Sequence, residues 1–494
     1  MPSRAILGLI ALLLWPALAL AQIPDRAPDL LLTGVLTGAD HETYRELPFE
    51  PPPGTQRITV AFDYSGRDAR TTVDLGLFGP AGFRGWSGGN KASFTVAATD
   101  ATPSYLPGPL ETGVWRLVLG VPNIRPTTRA RYEARLWFDG AEAFAGFADA
   151  PVADGERWWR GDLHVHSGHS DGACKSRSGA KIACPLFRVL QAAAEADLDF
   201  VAVTDHNTVS QAQGLRELQP YFDDLLVIAG REITTFQGHA NLFGPVAFVD
   251  FRLGGEQTPD LDAMLGQAEA AGGLVSVNHP ALPSGEACMG CGWRAETHWS
   301  RIAAVEVING GALALFQGQA ENPLDGVAFW QARLDEGHRL TAIAGSDSHD
   351  ADRPPGEPGA VGRPATVVRA PALSQQDILA AVRAGRVFVD VAGDSGRTLD
   401  LAVRAAGNSA RMGEDLALPA GLRAEFAAEA TGRPGDQIEV LVSGAEPYRL
   451  PLSADGPTRF AVTGDGRRGW VRLNLRDSEG RLILIGNPVY LNWR

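Results

Sequence analysis

The chain has 494 residues, of which 45% are hydrophobic and 21% charged, the composition of a folded globular protein too long for one ordinary core. Its formal charge of −14 excludes a surface built to hold nucleic acid or anionic lipid. An anionic small molecule would have to be drawn by local cations, and bound metal ions would supply them.

At the start, Arg4 precedes an uncharged apolar run that ends in Ala19-Leu20-Ala21. A basic residue, a short apolar stretch and a small-x-small triplet predict a secretory signal over residues 1–21, cleaved before Gln22. The mature chain is then periplasmic or secreted and has no integral membrane span. Four cysteines follow, Cys174, Cys184, Cys288 and Cys291, an even number that allows three connectivities. An oxidising compartment favours two local staples, Cys174 with Cys184 and Cys288 with Cys291. The alternative is one zinc site made by all four, because Cys288-Met289-Gly290-Cys291 has zinc-knuckle spacing.

Residues 22–157 show short alternating runs, such as 58–62 and 114–119, between Pro- and Gly-rich turns, which predicts an all-β sandwich. From 158 to 391 the pattern changes. Apolar runs at 199–203, 225–229, 274–277, 304–308 and 340–344 are interleaved with helical periodicity at 185–197, 260–271, 323–336 and 374–384. The last of these opens on Ser374 and Asp377 in capping-box spacing and closes at Gly385. Strand followed by helix, repeated, predicts an α/β domain with a parallel sheet, and this many units favours a closed barrel. Alternation returns over 392–494, as in 438–442 and 470–475, predicting a second sandwich-like or Ig-like β-domain.

The chemistry concentrates in the middle region. Gly161 opens GDLHVHSGHSDG, in which His164 and His166 fall on one face of an extended strand and can reach one cation. The Gly-rich segment that follows turns Asp171 back towards them. Each later motif sits just after an apolar run: Asp205-His206, Arg231-Glu232, Asn278-His279-Pro280 and Ser346-Asp347-Ser348-His349, with Gly238-His239 shortly after Glu232. In a parallel barrel all these points lie on one rim. Of ten histidines, seven lie in or beside these motifs, a distribution that scattered surface histidines would not produce. The other three, His41, His298 and His338, read as surface or packing residues.

In its order HxH, D, DH, E, GH, NHP, DSH, this set resembles the PHP family, named for polymerases and histidinol phosphatase. The segments GREITT, GHANLFG, NHP and GSDSH, with the signal peptide, are similar to its carbaryl-hydrolase-like branch. The resemblance covers about half the chain, residues 158–391. It implies a distorted (β/α)7 TIM-like barrel, flanked here by N-terminal and C-terminal all-β domains, carrying two or three divalent ions. By motif, one ion takes His164, His166, Glu232 and Asp347. A second shares Glu232 with His239 and His279, and a third takes Asp171, His206 and His349. Glu232, Asp347 and His349 are also expected to carry catalysis.

Imidazole with carboxylate suits Zn, Mn or Fe and leaves positions open to water. A bridging carboxylate can hold two ions about 3.5–4 Å apart, the arrangement of two-metal hydrolysis by an activated water. No GxSxG offers a serine nucleophile. Asp205 is expected to orient an imidazole, and His169 to occupy a variable loop position outside the metal set, a substrate or proton-transfer role being the lesser alternative. Lys175, Arg177 and Arg231 are the nearest cationic residues in sequence. The expected function is therefore metal-dependent hydrolysis of a small-molecule ester, a phosphoester by family default. The first alternative is carbamate or carboxyl ester hydrolysis of the carbaryl-hydrolase type. The second is a non-catalytic surface binding protein with structural metals. The sequence leaves the oligomeric state open.

Overall fold

The computed structural model describes residues 23–140, 144–286, 288–393 and 396–493. The predicted signal peptide lies outside the described residues.

The first region forms two four-stranded antiparallel sheets. One runs in the order Leu30–Thr37, Arg129–Asp139, Arg57–Tyr64, Ser93–Ala97, and the other Thr43–Phe49, Trp115–Asn123, Thr72–Gly79, Gly82–Gly88. Period-two patterning explains the pairing. In Arg129–Asp139 the side chains of Ala130, Tyr132, Ala134 and Leu136 turn inwards while Arg129, Arg131 and Glu133 face out. The inward faces meet in a core that includes Ile58, Val60, Leu75, Trp115 and Leu117.

The middle region departs from the expected barrel. The described chain is 40% strand and 12% helix with only six α-helices, far too few for a (β/α)7 barrel. Some parallel pairing is present. Phe200–Val203 lies parallel between Asp154–Val165 and Leu226–Thr235, and Leu274–Val277, Ala304–Asn309 and Thr341–Gly345 are parallel neighbours. Between these groups the alternation breaks. Leu226–Thr235 turns directly into Gly238–Phe243 as an antiparallel hairpin, which then pairs antiparallel with Leu274–Val277. The turn has a local cause: Thr235 Oγ1 donates to the Gly238 carbonyl and accepts from the Gln237 amide, and Gly238 takes φ +144°, a conformation that favours glycine. No helix crosses over there. Ala365–Ala372 also adds antiparallel, to both Asp154–Val165 and Val387–Asp390.

The predicted helices form at Leu186–Glu195, Leu261–Ala270, Val327–Asp335 and Gln375–Arg383, each one to four residues inside its predicted start. In the first, Leu186, Val189, Leu190 and Ala193 recur at helical spacing and are buried. In the last, Ser374 Oγ accepts from the Asp377 amide at 3.1 Å.

The strands from Asp154–Val165 to Thr341–Gly345 curl until their ends meet. The Asp347 amide donates to the His164 carbonyl at 2.7 Å and the His166 amide to the Ser348 carbonyl at 3.1 Å. The C-terminal strands do not stand apart from this sheet. Val387–Asp390 pairs with Leu482–Gly486, so the same sheet continues and counts fifteen strands among the described residues. Cys174–Cys184 and Cys288–Cys291 are disulfides, which rules out the four-cysteine zinc site. Among the described residues no helix is long and apolar enough to cross a membrane.

Candidate metal centre

Strand ends and the turns after them deliver all nine candidate ligands into one connected cluster. His164, at the end of the strand Asp154–Val165, places Nε2 at 3.5 Å from Glu232 Oε2 and 3.3 Å from Asp347 Oδ1. His166 Nε2 lies 3.0 Å from Asp347 Oδ1 and 3.6 Å from Glu232 Oε2, as expected of two imidazoles on one strand face. Glu232 is fully buried at the centre. Its Oε1 lies 3.2 Å from His239 Nδ1 and 3.2 Å from His279 Nε2, while its Oε2 lies 2.8 Å from His206 Nδ1. Asp171 closes the outer edge, with Oδ1 at 3.2 Å from His349 Nε2 and 3.6 Å from His206 Nε2. The outer edge is open: the Asp171 and His349 side chains are 60% and 39% exposed, whereas His164 and His166 are buried.

Two of these residues sit in strained backbone. His279 has φ +28° and Asp347 φ +50°, conformations that cost non-glycine residues energy and persist where surroundings enforce them. The enforcing contacts are visible. The His279 amide donates to Glu306 Oε2 at 2.8 Å, and Asp347 Oδ2 accepts from Asn309 Nδ2 at 3.1 Å.

Electrostatics bind the cluster together. Burial alone would raise the Glu232 carboxyl, but His164, His206 and His239 outweigh it and hold it well below the usual carboxylate range. Burial opposes charging of His349, yet Asp171 and Asp347 push it up to about 9, and Asp171 is correspondingly held down at about 2.

The donor set fits divalent ions. Side chains of His164, His166 and Asp347, of His164, Glu232 and His279, and of His166, Asp171, His206 and His349 form groups able to hold a metal ion, with donor atoms within 4.8 Å of one another. The buried atoms His164 Nε2 and His279 Nδ1 have no hydrogen-bond partner among the described residues. Buried polar atoms are rarely left so, and a cation would satisfy them.

A comparison of the chain with family models, curated proteins and solved structures returns no match.

Other expectations meet a different geometry. Arg231 alternates away from Glu232. It is buried, its guanidinium donates to the Ala247 carbonyl, and burial pushes it down to about 10, so it does not serve the cluster. Asp205 touches no imidazole. It accepts from the Ser167 amide and hydroxyl at 2.8 and 2.6 Å and from Ser170 Oγ at 2.6 Å, and Ser170 Oγ lies 3.4 Å from His166 Nδ1. It thus fixes the loop between the HxH strand and Asp171. His169, in that loop, is exposed with Nδ1 2.8 Å from Ser210 Oγ, and His298 lies at the surface beside Asp262. Lys175 and Arg177 are exposed on the disulfide-stapled hairpin of Ala173–Lys175 and Lys181–Ala183.

Two acids escaped the sequence reading. Glu306, within Ala304–Asn309, places Oε1 3.0 Å from His164 Nδ1 and fixes which nitrogen that imidazole presents to the cluster. Asp162 is fully buried and accepts from the amides of His164, Ser346 and Gly362 at 3.1, 3.0 and 2.8 Å, locking the HxH strand to the Ser346–His349 turn. The signal for Glu306 was a lone acid inside an otherwise apolar strand, a position that burial penalises unless the acid has work to do, whereas Asp162 shares its strand with Asp154 and Glu156 and carried no such signal.

Proposed function

We propose that the chain is a metal-dependent hydrolase of small-molecule phosphoesters, with the ligand order of the PHP family. The observation that supports it most is His164 Nε2, buried without a hydrogen-bond partner among the described residues and 3.5 Å from Glu232 Oε2, inside a nine-residue His and carboxylate cluster. His164, His166, Glu232 and Asp347 would hold one ion, Glu232 with His239 and His279 a second, and Asp171, His206 and His349 a third. Zinc, manganese or iron ions bound there supply Lewis-acid polarisation of the ester oxygen and lower the pKa of water to near neutrality.

The chain's own residues do the rest. Glu306 and Asp205 hold the first imidazoles and the Asp171 loop in place, and the exposed Asp171–His349 edge is where substrate enters. Beside that edge the Ala173 amide donates to the His349 carbonyl, so the stapled hairpin is anchored to the site. On this hairpin Lys175 and Lys181 lie directly opposite each other. Neither ammonium forms an ion pair among the described residues. Like charges opposed across a hairpin cost stability, and an anionic ester arriving at this edge would relieve the cost.

A second reading, hydrolysis of a carbamate or carboxyl ester, is favoured by exposed apolar side chains near His239: Met289, whose carbonyl lies 3.2 Å from His239 Nε2, is 72% exposed, and Phe236, three residues before His239, is 86% exposed. The deciding experiment measures metal content by elemental analysis on protein purified without chelator. The same protein is assayed on a phosphomonoester, a phosphodiester and an aryl carbamate before and after chelation. Two or three ions with chelator-sensitive phosphate release are expected. Carbamate turnover alone would move the assignment to the second reading. One ion or none, without turnover, would make the chain a binding protein.

A further inference from the structure

The Cys288–Cys291 disulfide plays no part in the proposed hydrolysis, yet its loop packs onto the cluster. The Met289 carbonyl lies 3.2 Å from His239 Nε2. Gly290, at φ +83°, fits so tightly under the Thr235 carbonyl that any side chain would collide with it. Cys291 is fully buried. Its sulfur, one ring nitrogen of His239 and one of His279 all lie within 4.8 Å of one another. Each imidazole already meets Glu232 through one nitrogen, Nδ1 of His239 and Nε2 of His279. Two imidazoles and a sulfur at this spacing form a metal-binding donor set, except that a disulfide sulfur carries no charge and is a poor ligand. No comparable group includes Cys174 or Cys184 among the described residues.

We propose that the Cys288–Cys291 disulfide is a redox latch on the metal centre: reduction by a dithiol frees Cys291 to join His239 and His279 as a thiolate ligand. This rests on the reading that His239 and His279 hold a metal ion. A thiolate of the dithiol attacks one sulfur, the Cys288–Cys291 bond breaks, and the second thiol closes the reductant's own disulfide. The protein disulfide gains two electrons and two protons, and the dithiol loses both. Cys291 then releases its proton to solvent on binding the ion. A sulfur donor shifts the preference of the site towards zinc or cobalt and away from manganese, so the same centre selects its metal according to the thiol balance outside it.

Cobalt(II) is the probe, added to the full chain after metal removal. Cys288→Ser leaves Cys291 as a free thiol with no reductant needed. Cys288→Ser is expected to show a thiolate-to-cobalt charge-transfer band in the near ultraviolet. So is wild type reduced with a phosphine, itself converted to its oxide and removed beforehand. Oxidised wild type and Cys288→Ser/Cys291→Ser should lack that band while keeping the visible d–d absorption of cobalt on imidazole and carboxylate. Absence of the band from both Cys288→Ser and reduced wild type, with the d–d absorption intact, overturns the latch and leaves the hydrolase reading standing. Persistence of the band in the double variant also overturns it. Cobalt absorption absent from every form overturns both.

Discussion

Glu306 decides how His164 is presented, and its removal tests whether the cluster is a metal site or a hydrogen-bonded core. Its Oε1 meets His164 Nδ1, and its Oε2 accepts from the His279 amide. Glu306→Gln keeps the shape and removes the charge, and metal affinity is expected to fall about 10- to 100-fold, as for other carboxylates that orient ligating imidazoles. Chelator competition at fixed pH measures this, and unchanged affinity would remove Glu306 from the account. At this scale much was legible, because histidines and acids placed after apolar runs announce a rim wherever strands end together, as at His206, Glu232 and Asp347. Glu306 and Asp162 were not, since an acid within a strand acquires meaning only from neighbours distant in sequence. Arg231 misled for the converse reason: adjacency to Glu232 in a strand means the opposite face.

The hairpin of Ala173–Lys175 and Lys181–Ala183 sets stability against recognition. Replacing one of its opposed lysines, Lys181→Glu, converts a repulsive cross-strand pair into an attractive one, and is expected to raise stability by about 0.2–1 kcal/mol. The same change should raise KM for a phosphoester several-fold with kcat little altered, because it withdraws a cation from the entrance and leaves the cluster untouched. Thermal unfolding and steady-state kinetics on one preparation read both effects, and an unchanged KM would remove the hairpin from substrate binding. Among the elements, helices such as Leu186–Glu195 were readable because periodicity and caps are local. The hairpin between Leu226–Thr235 and Gly238–Phe243 was not. Thr235 and Gly238 close a turn within four residues where a strand–helix repeat leads one to expect a crossover, and so the barrel expectation failed there.

Across the whole molecule, Asp100 ties the N-terminal sheets to the helix Ala212–Leu218. It is fully buried and accepts from Arg57 Nη2 at 2.5 Å and from the Arg216 guanidinium, while the Ala101 amide donates to Gln213 Oε1 at 2.7 Å. Burial alone would raise its carboxyl, but Arg216 and Arg57 hold it below the ordinary range. Asp100→Asn leaves the buried Arg216 and the half-buried Arg57 guanidiniums without their shared counter-charge and is expected to destabilise by about 3–5 kcal/mol. A carboxyl lowered on folding stabilises above its unfolded value, near about 4, and that contribution disappears as pH falls through the folded value. Wild type should therefore lose stability on acidification more steeply than Asp100→Asn, and denaturant midpoints across acidic pH check the slope.

The shared sheet bears on how such a chain can be divided. Leu482–Gly486 covers the edge of Val387–Asp390, and the Asn487 side chain hydrogen-bonds both Ala342 and the Val387 carbonyl. A chain cut after residue 391 would expose a bare strand edge and invite pairing with other molecules. The strand Leu482–Gly486 is thus the guardian of the middle part, and the two are not modules to be transplanted or fused one without the other.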